Sequence, residues 1–150
     1  MVILTPLETL SFLPAYLPGE TKRGKIYGLS GIRNKSGVYF IKENGVLVYV
    51  GMSRSNLQEA LYRHFQDWSS SWKQKRVSYK NEIGINTYEA ACITTDKDNA
   101  HPLEKCYILE YNPRDNNMKY EEYRNEVEIK VSETIEVDGI LINESEELPF

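Results

Sequence analysis

The chain contains 150 residues, of which 41% are hydrophobic and 27% charged, a composition typical of one globular domain with its own core. No apolar run is long enough to cross a membrane, and Pro6, Pro14 and Pro18 interrupt the apolar start, so we expect neither a membrane span nor a signal peptide. Cys92 and Cys106 lack metal-ligand spacing and are predicted to be buried thiols of a reducing compartment, which favours a cytoplasmic protein.

The net charge of −4 argues weakly against nucleic-acid binding, but the charge is unevenly distributed. Residues 119–150 contain ten acidic and three basic residues. Residues 1–34 contain two acidic and four basic residues, and residues 35–118 contain ten acidic and eleven basic residues. We therefore divide the chain into an N-terminal extension, a central domain and an acidic C-terminal extension with these bounds. The first two segments can present a basic face to phosphates.

The N-terminal extension carries little functional signal. Residues 1–20 are apolar and proline-rich, and they predict a short helix and loops. Residues 21–36 are basic and glycine-rich, which is typical of a loop or a short strand. Within them, Lys22, Arg23 and Lys25 are candidates for a secondary contact with nucleic acid.

A β-hairpin is the strongest local prediction, over residues 38–50. Two β-branched and aromatic runs flank Asn44-Gly45, a dipeptide that accepts the positive φ angles of a tight turn. Tyr39 and Tyr49 then lie on neighbouring antiparallel strands, where half-buried tyrosines are also common for structural reasons alone. Gly51 ends the second strand and permits close approach of a ligand or of another part of the chain.

Residues 55–68 predict an amphipathic helix. Asn56 can cap its N-terminus, and Glu59 lies where its side chain can reach back to the cap. Arg63 and His64 lie on the open side of this helix, which can face the hairpin. One stripe of the helix is apolar and is expected to face the core: Leu57, Leu61, Phe65 and Trp68.

A basic and aromatic loop follows this helix. A solvated loop without function and a contact with a nucleic-acid backbone explain its composition about equally well. The residues proposed for that contact are Trp72, Lys73, Lys75, Arg76 and Lys80.

Further along, strands are predicted at Val77–Tyr79 and Thr87–Thr95, followed by a turn at Asp96–Ala100. A second helix is predicted from Pro102 to about Tyr111, because proline favours the first helical turn and Asn112-Pro113 stops a helix.

The acidic C-terminal extension predicts β-structure. Residues 127–131 alternate between apolar and charged side chains, as a half-buried strand does. Thr134–Val137 and Ile140–Ile142 flank Asp138-Gly139, which predicts a second hairpin or an added sheet edge.

Several motifs, taken in chain order, resemble those of the GIY-YIG nuclease superfamily. They are GVY at 37–39, YVG at 49–51, RHF at 63–65, Glu104, and Pro113-x-x-Asn116. The resemblance covers about residues 36–117. It implies an α+β fold in which a small antiparallel sheet is flanked by helices. It also implies hydrolysis of DNA phosphodiester bonds with Mg²⁺ or Mn²⁺ as cofactor.

The resemblance implies roles for individual residues. Glu104 would hold the metal ion through a single carboxylate, although a solvated helix glutamate is the ordinary alternative. Tyr39 would activate water as general base, with the pKa of its phenol lowered by nearby positive charge, and Tyr49 would orient water or phosphate. His64 matches a position where many members carry histidine. Asn116 would support the site or contact nucleic acid.

The chain departs from the family at one position. The family usually places an essential arginine where this chain has Ala60. Arg63, about one turn later, or Arg54, just after the hairpin, can supply a guanidinium that holds phosphate through two hydrogen bonds. Without such a substitute the site lacks a phosphate clamp.

The sequence therefore predicts a metal-dependent DNA endonuclease. A single site cuts one strand, so double-strand cleavage would need a homodimer or two separate events. Two alternatives remain open, and so does the choice between DNA and RNA. The chain can be a catalytically inactive GIY-YIG domain that binds nucleic acid, or a protein-interaction module whose acidic extension docks a basic partner.

Overall fold

The computed structural model describes residues 2–16, 31–66, 77–132, 136–137 and 140–141. Within those ranges, no helix is long and apolar enough to cross a membrane. The helices are α1 (Leu57–Arg63) and α2 (Lys97–Tyr111), and short 3₁₀ turns lie at Leu7–Thr9, Lys80–Glu82, Arg114–Asn116 and Glu121–Glu126. The strands are β1 (Val2–Leu4), β2 (Leu13–Tyr16), β3 (Gly37–Glu43), β4 (Val46–Ser53), β5 (Tyr88–Thr94), β6 (Ile129–Val131), β7 (Glu136–Val137) and β8 (Ile140–Leu141).

The fold is α+β, built on a four-stranded antiparallel sheet in the order β2-β5-β3-β4. The predicted hairpin is confirmed as β3–β4, and Asn44 and Gly45 occupy its turn with φ angles of 51° and 82°. The strand predicted at Thr87–Thr95 is confirmed as β5, which pairs along the other side of β3. The predicted second hairpin is confirmed by the antiparallel pairing of β7 with β8.

The two faces of the sheet build two cores. Along β3, Tyr39 and Ile41 face one core, whereas Val38 and Phe40 face the other, as the alternation of a strand requires. The core on the α1 side also contains Val48, Leu57, Leu61, Phe65, Tyr79, Tyr88 and Ala90. The core on the α2 side also contains Val2, Leu4, Leu7, Val50, Leu103, Cys106, Tyr107 and Ile108.

Described segments of both terminal extensions take part in this fold. Strand β1 pairs in parallel with β6, and Val2 and Leu4 are buried in the core on the α2 side. Within the described residues 2–16, the short helix predicted for residues 1–20 is limited to one 3₁₀ turn, and Leu13–Tyr16 instead forms strand β2 at an edge of the main sheet. The physical reason is that the apolar residues there find strand partners from distant parts of the chain.

Helix α1 has the predicted cap but not the predicted length. The Asn56 side chain accepts a hydrogen bond from the Glu59 N–H at 3.3 Å. Glu59 does not reach back, because its carboxylate pairs with Arg63, and Ser53 Oγ accepts the Asn56 N–H instead. The helix ends at Arg63, and the predicted last residue, Trp68, lies outside the described part of the chain.

Two predicted boundaries are wrong. Helix α2 begins at Lys97, so the predicted turn at Asp96–Ala100 forms its start and Pro102 lies inside the helix. Pro102 is the sixth residue of the helix and removes the bond to the Asp98 carbonyl, but buried Ala100 and Leu103 favour the longer helix. Val77–Tyr79 is irregular rather than a strand, because the Tyr79 N–H donates to the His64 carbonyl.

The cysteines lie in different cores. Cys106 is fully buried as predicted, whereas Cys92 is only partly buried, and both are free thiols. Burial raises the pKa of each thiol to about 12, so both stay protonated and unreactive at neutral pH.

Candidate functional site

The regular antiparallel pairing of β3 with β4 sets the positions of the two motif tyrosines. Tyr39 pairs with Gly51 and Ile41 with Tyr49, so both tyrosines lie on the same face of the sheet. Their ring centroids are 6.1 Å apart on the α1 side. The next pair joins Lys42 to Leu47, so one residue of β4 bulges beyond Tyr49, toward the turn.

The glycines of the two motifs are required by close approaches within the sheet. A Cβ atom on Gly51 would overlap the Cζ and Oη atoms of Tyr39, whose ring crosses the neighbouring strand at that point. A Cβ atom on Gly37 would overlap the carbonyl oxygen of Ile93 on β5. Gly51 therefore leaves room for Tyr39, which is a residue of the candidate site.

His64 holds the hydroxyl group of Tyr39. It follows α1, is 6% exposed, and its Nε2 lies 2.7 Å from Tyr39 Oη, while its Nδ1 lies 2.8 Å from the carbonyl oxygen of Val77. A carbonyl only accepts, so Nδ1 carries a proton, and in the neutral ring Nε2 then accepts the Tyr39 O–H. Tyr49 packs on the same imidazole with ring centroids 4.5 Å apart.

Glu104 lies on α2 at the centre of a second polar group, which we call the Glu104 cluster: His101, Glu104, Lys119 and Tyr120. The Glu104 side chain is only 6% exposed, and its Oε1 accepts the Tyr120 O–H at 2.8 Å. Because that proton is committed to the carboxylate, His101 Nε2, 2.8 Å from Tyr120 Oη, must donate to the phenol oxygen. Lys119 Nζ lies 3.7 Å from Oε1.

Burial and nearby charges shift the pKa values of three residues of the Glu104 cluster. Burial raises the pKa of Glu104, and this rise is opposed by the Lys119 ammonium and the Tyr120 hydroxyl. Burial and the charges of Lys105, Lys119 and Arg54 lower the pKa of His101. Burial and Glu104 raise the pKa of Tyr120, and Tyr49 lies close enough to add to this effect.

The buried carboxylate makes stability depend on pH. The pKa of Glu104 is raised above its ordinary value, so the native protein holds the proton more tightly than the unfolded chain does. We therefore compare the free energy of unfolding of wild type with that of a Glu104→Gln variant. The difference, wild type minus variant, should be highest below the ordinary glutamate pKa and should fall as the pH rises through the raised pKa of Glu104. Urea unfolding of both proteins across this range measures the difference, and an increase with pH would contradict the assignment.

Asn116 braces the strand that carries Tyr49. It is 7% exposed, its Oδ1 accepts the Val50 N–H at 3.0 Å, and its Nδ2 donates to the Val50 carbonyl at 2.9 Å. The amide thus takes the place of a neighbouring strand on the edge of β4. This supports the packing role predicted for Asn116, because both of its polar groups are engaged by the protein rather than presented to nucleic acid.

Replacing Asn116 with alanine should therefore destabilise the fold. The substitution leaves the buried Val50 N–H and carbonyl without partners, at a cost of about 2–4 kcal/mol in the free energy of unfolding. Urea denaturation provides the measurement, and Asn125→Ala, at an exposed position in a 3₁₀ turn, is the matched control. A cost no greater than that of the control would show that Asn116 does not brace β4.

The other predicted residues are spread over the surface or lie outside the described ranges. Arg63 pairs with Glu59 along α1. Arg54 is exposed after β4 and influences His101, and Lys80 is exposed at the start of a 3₁₀ turn. The residues that fall outside are Lys22, Arg23, Lys25, Trp72, Lys73, Lys75 and Arg76.

Three residues of the Glu104 cluster were not predicted. His101 lies three positions before Glu104, and that helical spacing would have indicated it if the predicted helix had begun earlier. Lys119 and Tyr120 lie just beyond the predicted domain boundary at 118, in a segment with no recognisable motif. The unusual feature of this segment is its backbone, which only the structure reveals: Asn117, Met118 and Tyr120 all have positive φ angles.

The Glu104 cluster can accept a divalent cation only in the manner of a single-carboxylate site. Among the described residues, no group of three or more His, Cys, Asp or Glu side chains could hold a metal ion. Mg²⁺ and Mn²⁺ favour carboxylate oxygen, and Mg²⁺ commonly completes its shell with water and substrate phosphate. Both described partners of Glu104 contact Oε1, so such an ion would be held through the second oxygen, Oε2.

Comparison of the chain with protein-family models, with curated proteins and with solved structures finds no match. The GIY-YIG resemblance therefore depends on the motifs and their spacing in the chain, and the family remains a prediction.

Proposed function

We propose that this protein is a metal-dependent endonuclease that hydrolyses DNA phosphodiester bonds through a GIY-YIG-type site. The observation that carries the proposal is the hydrogen bond of 2.7 Å between Tyr39 Oη and His64 Nε2, with His64 Nδ1 fixed on the Val77 carbonyl. This arrangement gives the phenol a defined acceptor for its proton. The same hydrogen bonds also satisfy the polar atoms of two buried side chains, so activity rather than geometry separates the catalytic role from a structural one.

The Tyr39–His64 pair supports a general-base step. A phenol titrates near pH 10 and is mostly protonated at neutral pH, so Tyr39 can take a proton from water only if its own proton leaves. His64 Nε2 accepts that proton while the phenol oxygen receives one from the attacking water. The resulting imidazolium donates from both nitrogens, to Tyr39 and to the Val77 carbonyl. The hydroxide attacks phosphorus, the bond from phosphorus to the 3′ oxygen breaks, and the released oxygen takes a proton from solvent.

The Glu104 cluster supports the electrostatic part of the reaction. A Mg²⁺ or Mn²⁺ ion held by Glu104 would neutralise phosphate charge and stabilise the leaving oxygen. Tyr120 fixes one carboxylate oxygen by its hydrogen bond, and His101 fixes the Tyr120 hydroxyl in turn. These two residues orient the carboxylate in the way that supporting hydrogen bonds orient metal ligands.

A supercoiled-plasmid nicking assay with Mg²⁺ or Mn²⁺ tests the proposal, with EDTA as the first control. We expect metal-dependent nicking that falls about 10²–10⁴-fold in Tyr39→Phe, which removes the general base but keeps the ring. Tyr111→Phe, at the far end of α2, is the matched control and should cleave like wild type. Equal nicking by wild type and Tyr39→Phe would exclude the general-base role, and no nicking by folded wild type would exclude the enzyme.

A non-catalytic nucleic-acid-binding domain is the second candidate. Ala60 at the usual arginine position and the pairing of Arg63 with Glu59 favour it, because neither residue supplies an evident phosphate clamp. Retained DNA binding without cleavage under any metal would establish this function.

A protein-interaction role for the acidic extension needs a more careful test than deletion. Removing all of residues 119–150 would take away Lys119, Tyr120 and β6, which pairs with β1. Substituting Glu144, Glu146 and Glu147 with glutamine removes charge beyond β6 without cutting the chain. Unchanged nicking by that variant, together with loss of binding to a basic partner, would separate the two functions.

A further inference from the structure

A phosphodiester carries negative charge on its non-bridging oxygens, so a hydrolytic site needs a cation within reach of them. The position at which the family usually supplies an arginine is Ala60, and the predicted substitute Arg63 pairs with Glu59 along the surface of α1. The positive group that faces the candidate carboxylate comes instead from a segment that the motifs do not include.

That group is Lys119. Its Nζ lies 3.7 Å from Glu104 Oε1 and 4.8 Å from the centroid of the Tyr120 ring, and its charge acts on both Glu104 and His101. The Lys119 side chain is 48% exposed, whereas the carboxylate that it contacts is nearly buried. The ammonium therefore lies between the buried carboxylate and solvent, where a substrate phosphate would approach.

The backbone fixes this placement. The Lys119 N–H donates to the Asn116 carbonyl at 3.1 Å, and the Asn116 side chain is bonded to Val50 on both of its polar groups. Asn117 and Met118, with φ angles of 53° and 59°, turn the chain so that Lys119 and Tyr120 both reach Glu104. Asn116 thus connects Lys119 to strand β4, which also carries Tyr49.

The neighbouring cations are placed less favourably. Lys105 Nζ lies 4.5 Å from the ring centroid of Tyr123 and 5.1 Å from that of Tyr120, so its ammonium packs on aromatic faces. Arg54 is exposed in the segment after β4 and influences His101. Within the described part of the chain, Lys119 is the cation that forms an ion pair with Glu104.

We propose that Lys119 is the phosphate-binding cation of this site. In the free protein its ammonium neutralises Glu104, and in the DNA complex it contacts a non-bridging oxygen of the phosphate that is cleaved. The inference rests on the proposed nuclease function and replaces Arg63 with Lys119 in that function. A simpler role, in which Lys119 is only the counter-ion of a buried carboxylate, makes different predictions.

Measuring DNA binding by variants that carry Glu104→Gln separates the two roles of Lys119 without measuring activity. In Glu104→Gln the carboxylate charge is gone, so a mere counter-ion has nothing left to neutralise. Adding Lys119→Ala should still lower the slope of log K against log salt concentration by about 1, as the loss of one phosphate contact does. Fluorescence anisotropy with a labelled DNA duplex in EDTA gives the slope. Lys130→Ala in the same background is the control, because Lys130 is an exposed lysine on β6, and its slope should stay unchanged.

Nicking by single variants provides the second readout. At saturating metal, Lys119→Ala should lower the turnover rate about 10²-fold, Lys119→Arg should recover most of it, and Lys130→Ala should cleave like wild type. A turnover rate in Lys119→Ala equal to that of wild type, or an unchanged salt slope in the Glu104→Gln background, would overturn the inference. If wild type itself fails to nick, the proposed function falls, and the salt slope still decides whether Lys119 contacts phosphate.

Discussion

Glu104→Gln is expected to lose plasmid nicking by at least about 10³-fold, which corresponds to about 4 kcal/mol of transition-state stabilisation, while the fold stays intact. Glutamine keeps the shape of the side chain and still accepts the Tyr120 hydrogen bond, but a neutral amide is a far weaker ligand for Mg²⁺ than a carboxylate. Burial also disfavours the charge of Glu104, so the variant should be at least as stable as wild type at neutral pH.

The measurement combines nicking rates with urea unfolding of the same preparations. Glu110→Gln is the matched control, because Glu110 is an exposed glutamate on the same helix and should change neither quantity. A Glu104→Gln variant that nicks at more than a tenth of the wild-type rate would refute the role of Glu104. A variant that loses nicking because it unfolds would leave Glu104 with a structural role only.

Gly51→Ala is expected to reduce nicking about 10²–10³-fold and to lower the free energy of unfolding by about 1–3 kcal/mol. The added methyl group would occupy the space of the Tyr39 ring, so the ring must move. Movement of the ring breaks the 2.7 Å hydrogen bond to His64, and the proton acceptor of the proposed general base is lost with it. Loss of activity would then arise from a residue that has no functional group.

A double-mutant cycle identifies the clash as the cause. In a Tyr39→Ala background the ring is absent, so adding Gly51→Ala should cost far less stability than it does in wild type. Urea unfolding of the four proteins gives the coupling free energy between the two positions. A cost of Gly51→Ala that is the same in both backgrounds would show that the methyl group clashes with something other than Tyr39.

The parts of the fold that were predicted correctly depend on short-range rules. The β3–β4 hairpin follows from an Asn-Gly turn between two β-branched runs, and both turn residues have the positive φ angles that this dipeptide accepts. The Asn56 cap and the apolar stripe of α1 follow from helical spacing in the same local manner. A hairpin followed at once by a helix also brings Tyr39, Tyr49 and His64 close together, so their proximity follows from the same local rules.

The parts that were missed depend on contacts between distant segments. No local rule indicates that Val2–Leu4 pairs with Ile129–Val131, since parallel pairing leaves no turn in the sequence. The role of Lys119 and Tyr120 at Glu104 depends on a left-handed backbone segment held by Asn116. Asn116 is held in turn by Val50, 66 positions earlier in the chain, and no short motif encodes a contact of that range.

The amide of Asn116 has a consequence for assembly. An uncovered edge strand invites another chain to continue the sheet through main-chain hydrogen bonds. At Val50 the outward N–H and carbonyl of edge strand β4 are already taken by a side chain of the same molecule. A second copy cannot extend the sheet at this point, beside Tyr49. A dimer that continues the sheet through main-chain hydrogen bonds must therefore form them elsewhere than at Val50.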